Sequence, residues 1–464
     1  MLRYLFFAAW TAVFPVALAS ADTGAYGEPG PYGVGVRTLH LVDPSRSTMA
    51  YGPYDGSDSR ELDVEVWYPA DTGQGLVEVR DAPPASSLNP FPLILRAHGL
   101  GGRARDAVYL TTFLASHGYV VAAPSFPLSK FDTPALIPTY FDIAEQPGDL
   151  SFVADQLIGN SAEPQGFLAG RIDTGKIGSL GHSLGGLTVL LHGYSAEPRD
   201  PRVRAVAALA PWACSLQQEF FDGSDVPALW MGGTADLITP YNRNQALPFE
   251  RASSPRVLVT LEDGIHINFS RALFDIDAGE NPDDVYCDGT FGLLGLRPLP
   301  TPKLPSSIGD SPEIEPGSCG SICPTWSGDF MDEERQHDLT RTAVVEFFDA
   351  ELRGSAAAYE ALVTGLDGEP DVTTNASGGA CPFGSCMVAA ACTSCGQPLS
   401  IDAELPGAGD ARAVLLSAVG LGSQCPACVC DVDANDAVKA TDSLIVLRRA
   451  VGLGVELFCR RPAP

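Results

Sequence analysis

The stretch KIGSLGHSLGGLTVLL, residues 176–191, sets a serine, Ser183, between Gly181 and Gly185, after one apolar run and before another. A serine on an ordinary helix or strand needs no glycine two positions away on each side. At the tip of a sharp strand-to-helix turn it does, because the crossing backbones leave no room for side chains. The pattern is that of a G-x-S-x-G nucleophile elbow, which demands a buried strand before the serine and a helix after it. KIGSL supplies such a strand and LGGLTVLLHGY such a helix. A chance glycine-rich turn would carry neither flank.

Working outward, apolar runs alternate with helical stretches from about residue 35 to 275. LDVEVWYP (62–69) alternates as a strand of a partly exposed sheet does. FPLILRAHG (91–99), GYVVAAPS (118–125), RVRAVAALAP (202–211), VPALWMGG (226–233) and PRVLVTLE (255–262) are short β-branched or Ala-rich runs. Near-continuous apolar strands separated by helices predict an α/β fold, a mostly parallel sheet with helices on both faces. RDAVYLTTFLASHG (105–118) and GDLSFVADQLIG (148–159) fit crossover helices, and DEERQHDLTRTAVVEFFDAELRG (332–354) fits an amphipathic helix closing at Gly354. Residues 276–330 break the pattern: rich in Pro, Ser and Gly and bearing cysteines, they read as a disulfide-tied insertion. The expected organisation is a catalytic domain over 22–365, a Cys/Gly-rich linker over 366–398 and a small helical unit over 399–464.

With 464 residues, 45% of them hydrophobic and 19% charged, the chain is globular, not disordered. A net charge of −28 repels phosphate backbones and excludes nucleic acid as the expected partner. The opening MLRYLFFAAWTAVFPVALASAD carries Arg3, an apolar stretch broken by Pro15 and small-x-small cleavage sites, so residues 1–21 read as a secretory signal peptide. The stretch is short for a membrane span, and no later segment is long and apolar enough for one. The expected location is extracellular or periplasmic, with attachment to the cell surface open. Of twelve cysteines, only Cys214 lies before Cys287. CPFGSC (381–386), CTSC (392–395) and CPAC (425–428) could be zinc pairs, but export and the lack of nearby His favour disulfides. For Cys287, Cys319 and Cys323 both stand as partners.

A serine hydroxyl is a poor nucleophile alone. It needs a base to take its proton and a carboxylate to orient that base. On this architecture the order is Ser, then Asp or Glu after a later strand, then His. Asp236 in WMGGTADLITP (230–240) and His266 in VTLEDGIHINFS (259–270) follow successive strands in that order. His98 and His182 are accounted for by the motifs around them, His337 by the closing helix, and Glu262 and Asp263 by a turn. Acyl transfer also needs oxyanion donors. The backbone N–H of Leu184, after the nucleophile, is one; Leu100, in the glycine-rich turn of LRAHGLGGRARD (95–106), is the other candidate.

At these residues the chain resembles known families. FPLILRAHGLGG…YLTTFLASHGYVVAAPSFP with GHSLGG is similar to the α/β-hydrolases grouped with platelet-activating-factor acetylhydrolases and dienelactone-hydrolase-like esterases. ALAPWACS…VPALWMGGTADLITP resembles the bacterial cutinase and polyester-hydrolase branch, in which a Trp matching Trp212 flanks the substrate cleft. The resemblance spans about residues 35–360. The acetylhydrolases carry their acid where this chain has Ala210; Asp236 matches the polyester-hydrolase position instead. A dienelactone hydrolase proper uses a Cys nucleophile, which this elbow lacks. The resemblance implies a secreted serine esterase or lipase that needs no cofactor for its chemistry. Short-chain esters, phospholipid acetyl groups, longer acylglycerols and polyesters all stand as substrates. The rival is a catalytically inactive scaffold serving as a binding or adhesion module, against which the undamaged triad argues.

CDVDANDAVKATDSLIVLRRAVGLG (430–454) sets Asp431, Asp433, Asn435 and Asp442 at positions 1, 3, 5 and 12 of a twelve-residue loop, with the Ala437 carbonyl at position 7. That spacing wraps a hard cation in oxygen ligands. It resembles a dockerin-type calcium repeat, with Asp436 where the EF-hand pattern has Gly; an acidic helix cap is the plainer alternative. DARAVLLSAVGLG (410–422) repeats as DSLIVLRRAVGLG (442–454) without the earlier loop ligands. Paired dockerin repeats dock onto cohesins; one degenerate loop leaves structural calcium or surface attachment equally open. Like charges in an empty loop repel, and calcium offsets that repulsion. Chelation is therefore expected to loosen the tail, read by limited proteolysis, and to leave ester turnover nearly unchanged. Loss of activity with an intact tail would place the calcium in or near the catalytic domain instead.

Overall fold

The computed structural model describes residues 26–377, except 88, 196–198, 223, 271–279, 291–298, 301–318, 320 and 326. The signal segment, most of the expected linker, the CPFGSC, CTSC and CPAC motifs and the expected calcium ligands Asp431, Asp433, Asn435, Ala437 and Asp442 lie outside the described residues.

The framework is one mixed sheet. Its strands are β1 (Gly33–Asp43), β2 (Arg60–Ala70), β3 (Glu78–Arg80), β4 (Phe91–Ala97), β5 (Val120–Ser125), β6 (Ile172–His182), β7 (Val203–Leu209), β8 (Ala228–Gly233), β9 (Arg256–Leu261) and β10 (Val372–Ser377). They lie in the order β10-β9-β8-β7-β6-β4-β5-β2-β1-β3. The block from β5 to β9 is parallel; β2 and β10 join its edges antiparallel. This is the mostly parallel α/β sheet expected from the alternation of apolar runs, in the α/β-hydrolase fold that the resemblance implies.

Each central strand is apolar on both sides because each side is covered. Along β4, Leu93, Leu95 and Ala97 enter one layer and Ile94 the other. The first layer holds α2 (Gln146–Ala162) and α3 (Leu184–Tyr194); the second holds α1 (Val108–Ser116) and the long helix Glu333–Arg353. That long helix starts where Asp332 accepts from the N–H groups of Glu334 and Arg335, and stops at Gly354 with φ 70°. A capping carboxylate and a left-handed glycine fix both ends.

Three strands escaped the sequence reading. β1 and the short β3 were not expected at all. β10 pairs with β9 from Val372↔Leu261 to Ser377↔Arg256. The sheet therefore runs through Ser377, and the boundary expected at 365 falls too early. The insertion contributes a helix, α4 (Pro282–Thr290), and two disulfides, Cys287–Cys323 and Cys214–Cys319. Of the two partners open for Cys287, Cys323 is the one bonded, and Cys319 pairs with Cys214 instead. The long helix that follows is therefore α5.

One buried ion pair ties β2 to α2. Arg60 is fully buried; its Nε and Nη2 each donate to Asp149 at 2.6 Å, and Nη2 also to Asp142 at 3.2 Å. Removing one partner strands the other's charge without water, so Asp149→Ala should cost about 3 kcal/mol. A lowered urea midpoint would register it; an unchanged midpoint would mean that Asp142 alone satisfies Arg60.

Candidate active site

Ser183 sits at the end of β6 with φ 58° and ψ −119°, and its next residue opens α3. The glycines around it are required by contact. A Cβ on Gly181 would lie 2.0 Å from the Gly185 carbonyl oxygen, and one on Gly185 would lie 2.3 Å from the Ala97 carbonyl oxygen. The loop leaving β4 thus crosses directly over the turn: a Cβ on Gly99 would stand 3.2 Å from Ser183 Cβ. Leu100 is the next residue in that loop, and Leu184 is the first residue of α3, so both candidate oxyanion residues flank the serine. Trp212 is held beside it by its N–H, which donates to the Ser183 carbonyl at 3.1 Å. Its ring meets Tyr140 edge-on at 5.4 Å.

Asp236 follows β8 and His266 follows β9, so both rise from the same carboxyl edge of the sheet. Asp236 Oδ1 accepts from the N–H groups of Ile238 and Thr239, at 2.9 and 2.6 Å. These bonds turn Oδ2 toward His266, whose Nδ1 lies 2.9 Å away. Thr239 was not foreseen: its hydroxyl lies 2.8 Å from Asp236 Oδ2, 3.0 Å from His266 Nδ1 and 3.1 Å from the Ala210 carbonyl. The Asp–His pair is thus in hydrogen bond. His182, which precedes the serine, has its ring centroid 4.6 Å from that of His266. Among the described residues no hydrogen bond joins the Ser183 hydroxyl to the imidazole.

Electrostatics separates His266 from the other imidazoles. Burial pulls its pKa down, but the Asp236 carboxylate and its hydrogen bond outweigh that, Asp283 adds to them, and the net is a rise. His182 donates through Nε2 to the His266 carbonyl at 3.1 Å. Burial and the neighbouring His266 hold its pKa well below the ordinary value, so it stays neutral. His98 accepts the Phe126 N–H on Nε2 at 2.9 Å and lies 2.7 Å from the Gly99 carbonyl through Nδ1. Burial lowers its pKa to about 4.

The other competitors resolve by contact. His337 stacks on Tyr109 at 3.6 Å, Glu262 is exposed, and Asp263 takes a turn conformation with φ 57°. Phe126 and Phe269, near the same residues, are fully buried packing. A second Ser–His–Asp grouping exists: His192 Nδ1 lies 2.9 Å from Ser179 Oγ, and its Nε2 lies 3.8 Å from Asp200. Ser179 and His192 are fully buried on β6 and α3, so this grouping belongs to the core.

Two further residues hold the histidine loop. Gln336 on α5 accepts from the Ile265 N–H and donates to its carbonyl, at 3.0 and 2.8 Å. Asp283, the second residue of α4, is fully buried and accepts three loop N–H groups. Burial, then the Asp236 charge, push its carboxyl up to about 6 against the pull of His266 and those N–H groups. NPDD (281–284) reads as a helix start and carries no signal that its second acid would face the histidine loop.

Leu136 and Ile137 are 77% and 69% exposed, and Leu100, Phe131 and Phe141 are exposed as well. Phe141 packs on Tyr140 at 4.8 Å, and Tyr140 on Trp212, so an aromatic run leads from exposed Phe141 to the residue bonded to the Ser183 carbonyl.

The chain matches the PET hydrolase-like family over residues 94–276, a span that holds Leu100, Ser183, Leu184, Trp212, Asp236 and His266. It is 28% identical over 284 residues to the bis(hydroxyethyl) terephthalate hydrolase of Streptomyces coelicolor, covering 59% of this chain and 74% of that one. Among solved structures, a ferulic acid esterase from Streptomyces cinnamoneus is similar with a TM-score of 0.47 and 23% identity, over 74% of this chain and 96% of that one.

The electrostatics gives a measurable order. In an NMR titration His266 should have its midpoint above the ordinary histidine value of about 6.5, with His98 and His182 well below it. Asp236→Asn should bring the His266 midpoint down. A midpoint that does not move would mean that the pair does not set the basicity of the ring.

Proposed function

We propose that the protein is a serine hydrolase of carboxylic esters. What supports the reading is one arrangement: Ser183 on a strained elbow, at the same sheet edge as a buried imidazole whose Nδ1 is bound to a carboxylate. Ser183 Oγ attacks the ester carbonyl carbon while His266 Nε2 takes its proton. Asp236 accepts from Nδ1–H and stabilises the imidazolium. The N–H groups of Leu184 and Leu100 stabilise the oxyanion. Collapse of the tetrahedral intermediate breaks the bond to the alcohol oxygen, which leaves with the proton from His266. Water, deprotonated by His266, then attacks the acyl-enzyme, and Ser183 recovers its proton as the acid departs.

The substrate class follows from the aromatic side chains near the serine. Trp212, Tyr140 and exposed Phe141 form a contiguous aromatic run. Such a surface suits a neutral apolar ester, above all one with an aromatic acyl group, which can stack on the cleft aromatics. The match to the PET hydrolase-like family and to a relative named for hydrolysing an ester of terephthalate favours the same class over phospholipid acetyl groups. Secretion and a calcium-binding tail, with a cohesin-like or cell-surface partner, complete the proposal; they rest on the sequence motifs.

Ser183→Ala should lower turnover of aryl-acid esters by about three orders of magnitude or more while the fold persists, because the triad acts as a unit. Fluorophosphonate should label the parent at Ser183 and not the variant. Since the neutral imidazole is the base, the rate should rise with pH through the raised His266 midpoint. Full turnover by the alanine variant would end the assignment, and preference for long acylglycerols over terephthalate or benzoate esters would end the substrate class.

A further inference from the structure

We infer that Asp283 is a positioning residue that locks the acid loop and the base loop of the site into one geometry. The inference rests on the hydrolase reading for its meaning, but its observations are separate. Asp283 Oδ2 accepts from the Leu237 N–H at 3.1 Å and from the His266 N–H at 2.9 Å, and Oδ1 accepts from the Ile267 N–H at 2.8 Å. Leu237 is the residue after Asp236. His266 and Ile267 are the base and the residue after it. One carboxylate therefore spans two loops that enter from different strands.

The rest of the insertion closes this clamp into a ring. Asp283 and Cys287 lie one turn apart on α4, and Cys287 is disulfide-bonded to Cys323. The Cys323 N–H donates to the Leu237 carbonyl at 2.6 Å. Leu237 is thus held on its N–H by Asp283 and on its carbonyl by Cys323, while its side chain packs with Cys287 and Cys323. The path from Asp283 through the helix, the disulfide and Cys323 returns to Leu237 without passing through the sheet.

A carboxylate suits this position better than an amide for two reasons. It offers two acceptor oxygens and no donor, which satisfies three converging N–H groups with charge-assisted bonds. It also brings a second negative charge to His266, beyond that of Asp236. The titratable groups facing Asp283 are Asp236 and His266, the second of which also faces His182, kept neutral by burial. Asn at 283 would keep one acceptor oxygen and lose the charge, and so separate the two effects from loss of the helix.

The test compares Asp283→Asn, and a Cys287→Ser/Cys323→Ser double variant, with the parent chain on an aryl ester. Circular dichroism and a thermal melt first establish that each variant is folded. Asp283→Asn should lower kcat about tenfold or more at little change in KM, as a displaced catalytic group does. The acid limb of its kcat/KM profile, and the His266 midpoint by NMR, should both move to lower pH. The double variant leaves the carboxylate in place, so it should lower kcat without moving that midpoint. The NMR midpoint is read without turnover, so it decides the coupling even if the ester reading fails; absence of fluorophosphonate labelling in the parent would show that separate failure. A folded Asp283→Asn with the parent's kcat and His266 midpoint overturns the inference. If that variant does not fold, a double variant with the parent's kcat overturns it.

Discussion

The backbone at Ser183 constrains everything built around it. A non-glycine residue at φ 58° and ψ −119° costs about 1–3 kcal/mol and survives only where its surroundings over-determine it. Here they do. The Ser183 N–H is bound to the Leu209 carbonyl and its own carbonyl accepts from Trp212, so the end of β7 grips the turn from one side. The loop after β4 closes the other side against Gly185, while Gly181 packs on the first turn of α3. A side chain at either glycine would push these segments apart. The same close approach delivers the Gly99–Leu100 turn to the serine, so the steric demand of the elbow also builds the candidate oxyanion site.

Geometry brings three imidazoles to one edge of the sheet, and charge chooses among them. His98 and His182 are buried, and burial outweighs the backbone carbonyl that each ring faces, which keeps both neutral. Both rings then act as fixed dipoles and packing surfaces, with no proton to exchange near neutral pH. His266 is equally buried, yet its pKa rises because a carboxylate faces Nδ1 at 2.9 Å. Two carboxylates lie near that ring, and their directions differ. Asp236 aims an oxygen at the ring nitrogen. Asp283 spends its oxygens on backbone N–H groups and acts on the ring only through charge and position.

Legibility in the sequence followed the range of the interactions. The elbow, the order Ser–Asp–His and the apolar strands are local patterns, and a sterically crowded turn must announce itself by its glycines. The caps of α5 at Asp332 and Gly354 were equally local. β1 was missed because GVGVRTLHLVD mixes glycines with charges on an edge-side strand whose outer half is partly exposed. β10 was missed because VTTNAS is short and polar and gains its strand conformation by pairing with β9. Asp283 had no signal at all. A carboxylate that accepts from backbone N–H groups across the fold needs no particular neighbours in sequence, and the loops it binds are 46 and 17 residues away.

The insertion shows why that kind of residue arises in irregular chain. Parallel strands deliver Asp236 and His266 to the same edge, but each stands on its own loop, and a sheet fixes strand ends better than loop tips. A misplacement of about 1 Å at a catalytic group is worth as much as two orders of magnitude in rate. Two side chains span them: the Thr239 hydroxyl, which meets both Asp236 and His266, and the Asp283 carboxylate, which reaches both backbones from a segment inserted after β9. Disulfides tie that segment down: Cys214–Cys319 anchors it to the chain just past Trp212, and Cys287–Cys323 closes it around Leu237. Cross-links in this region thus carry their effect through the geometry of the candidate site, in addition to restricting the unfolded chain.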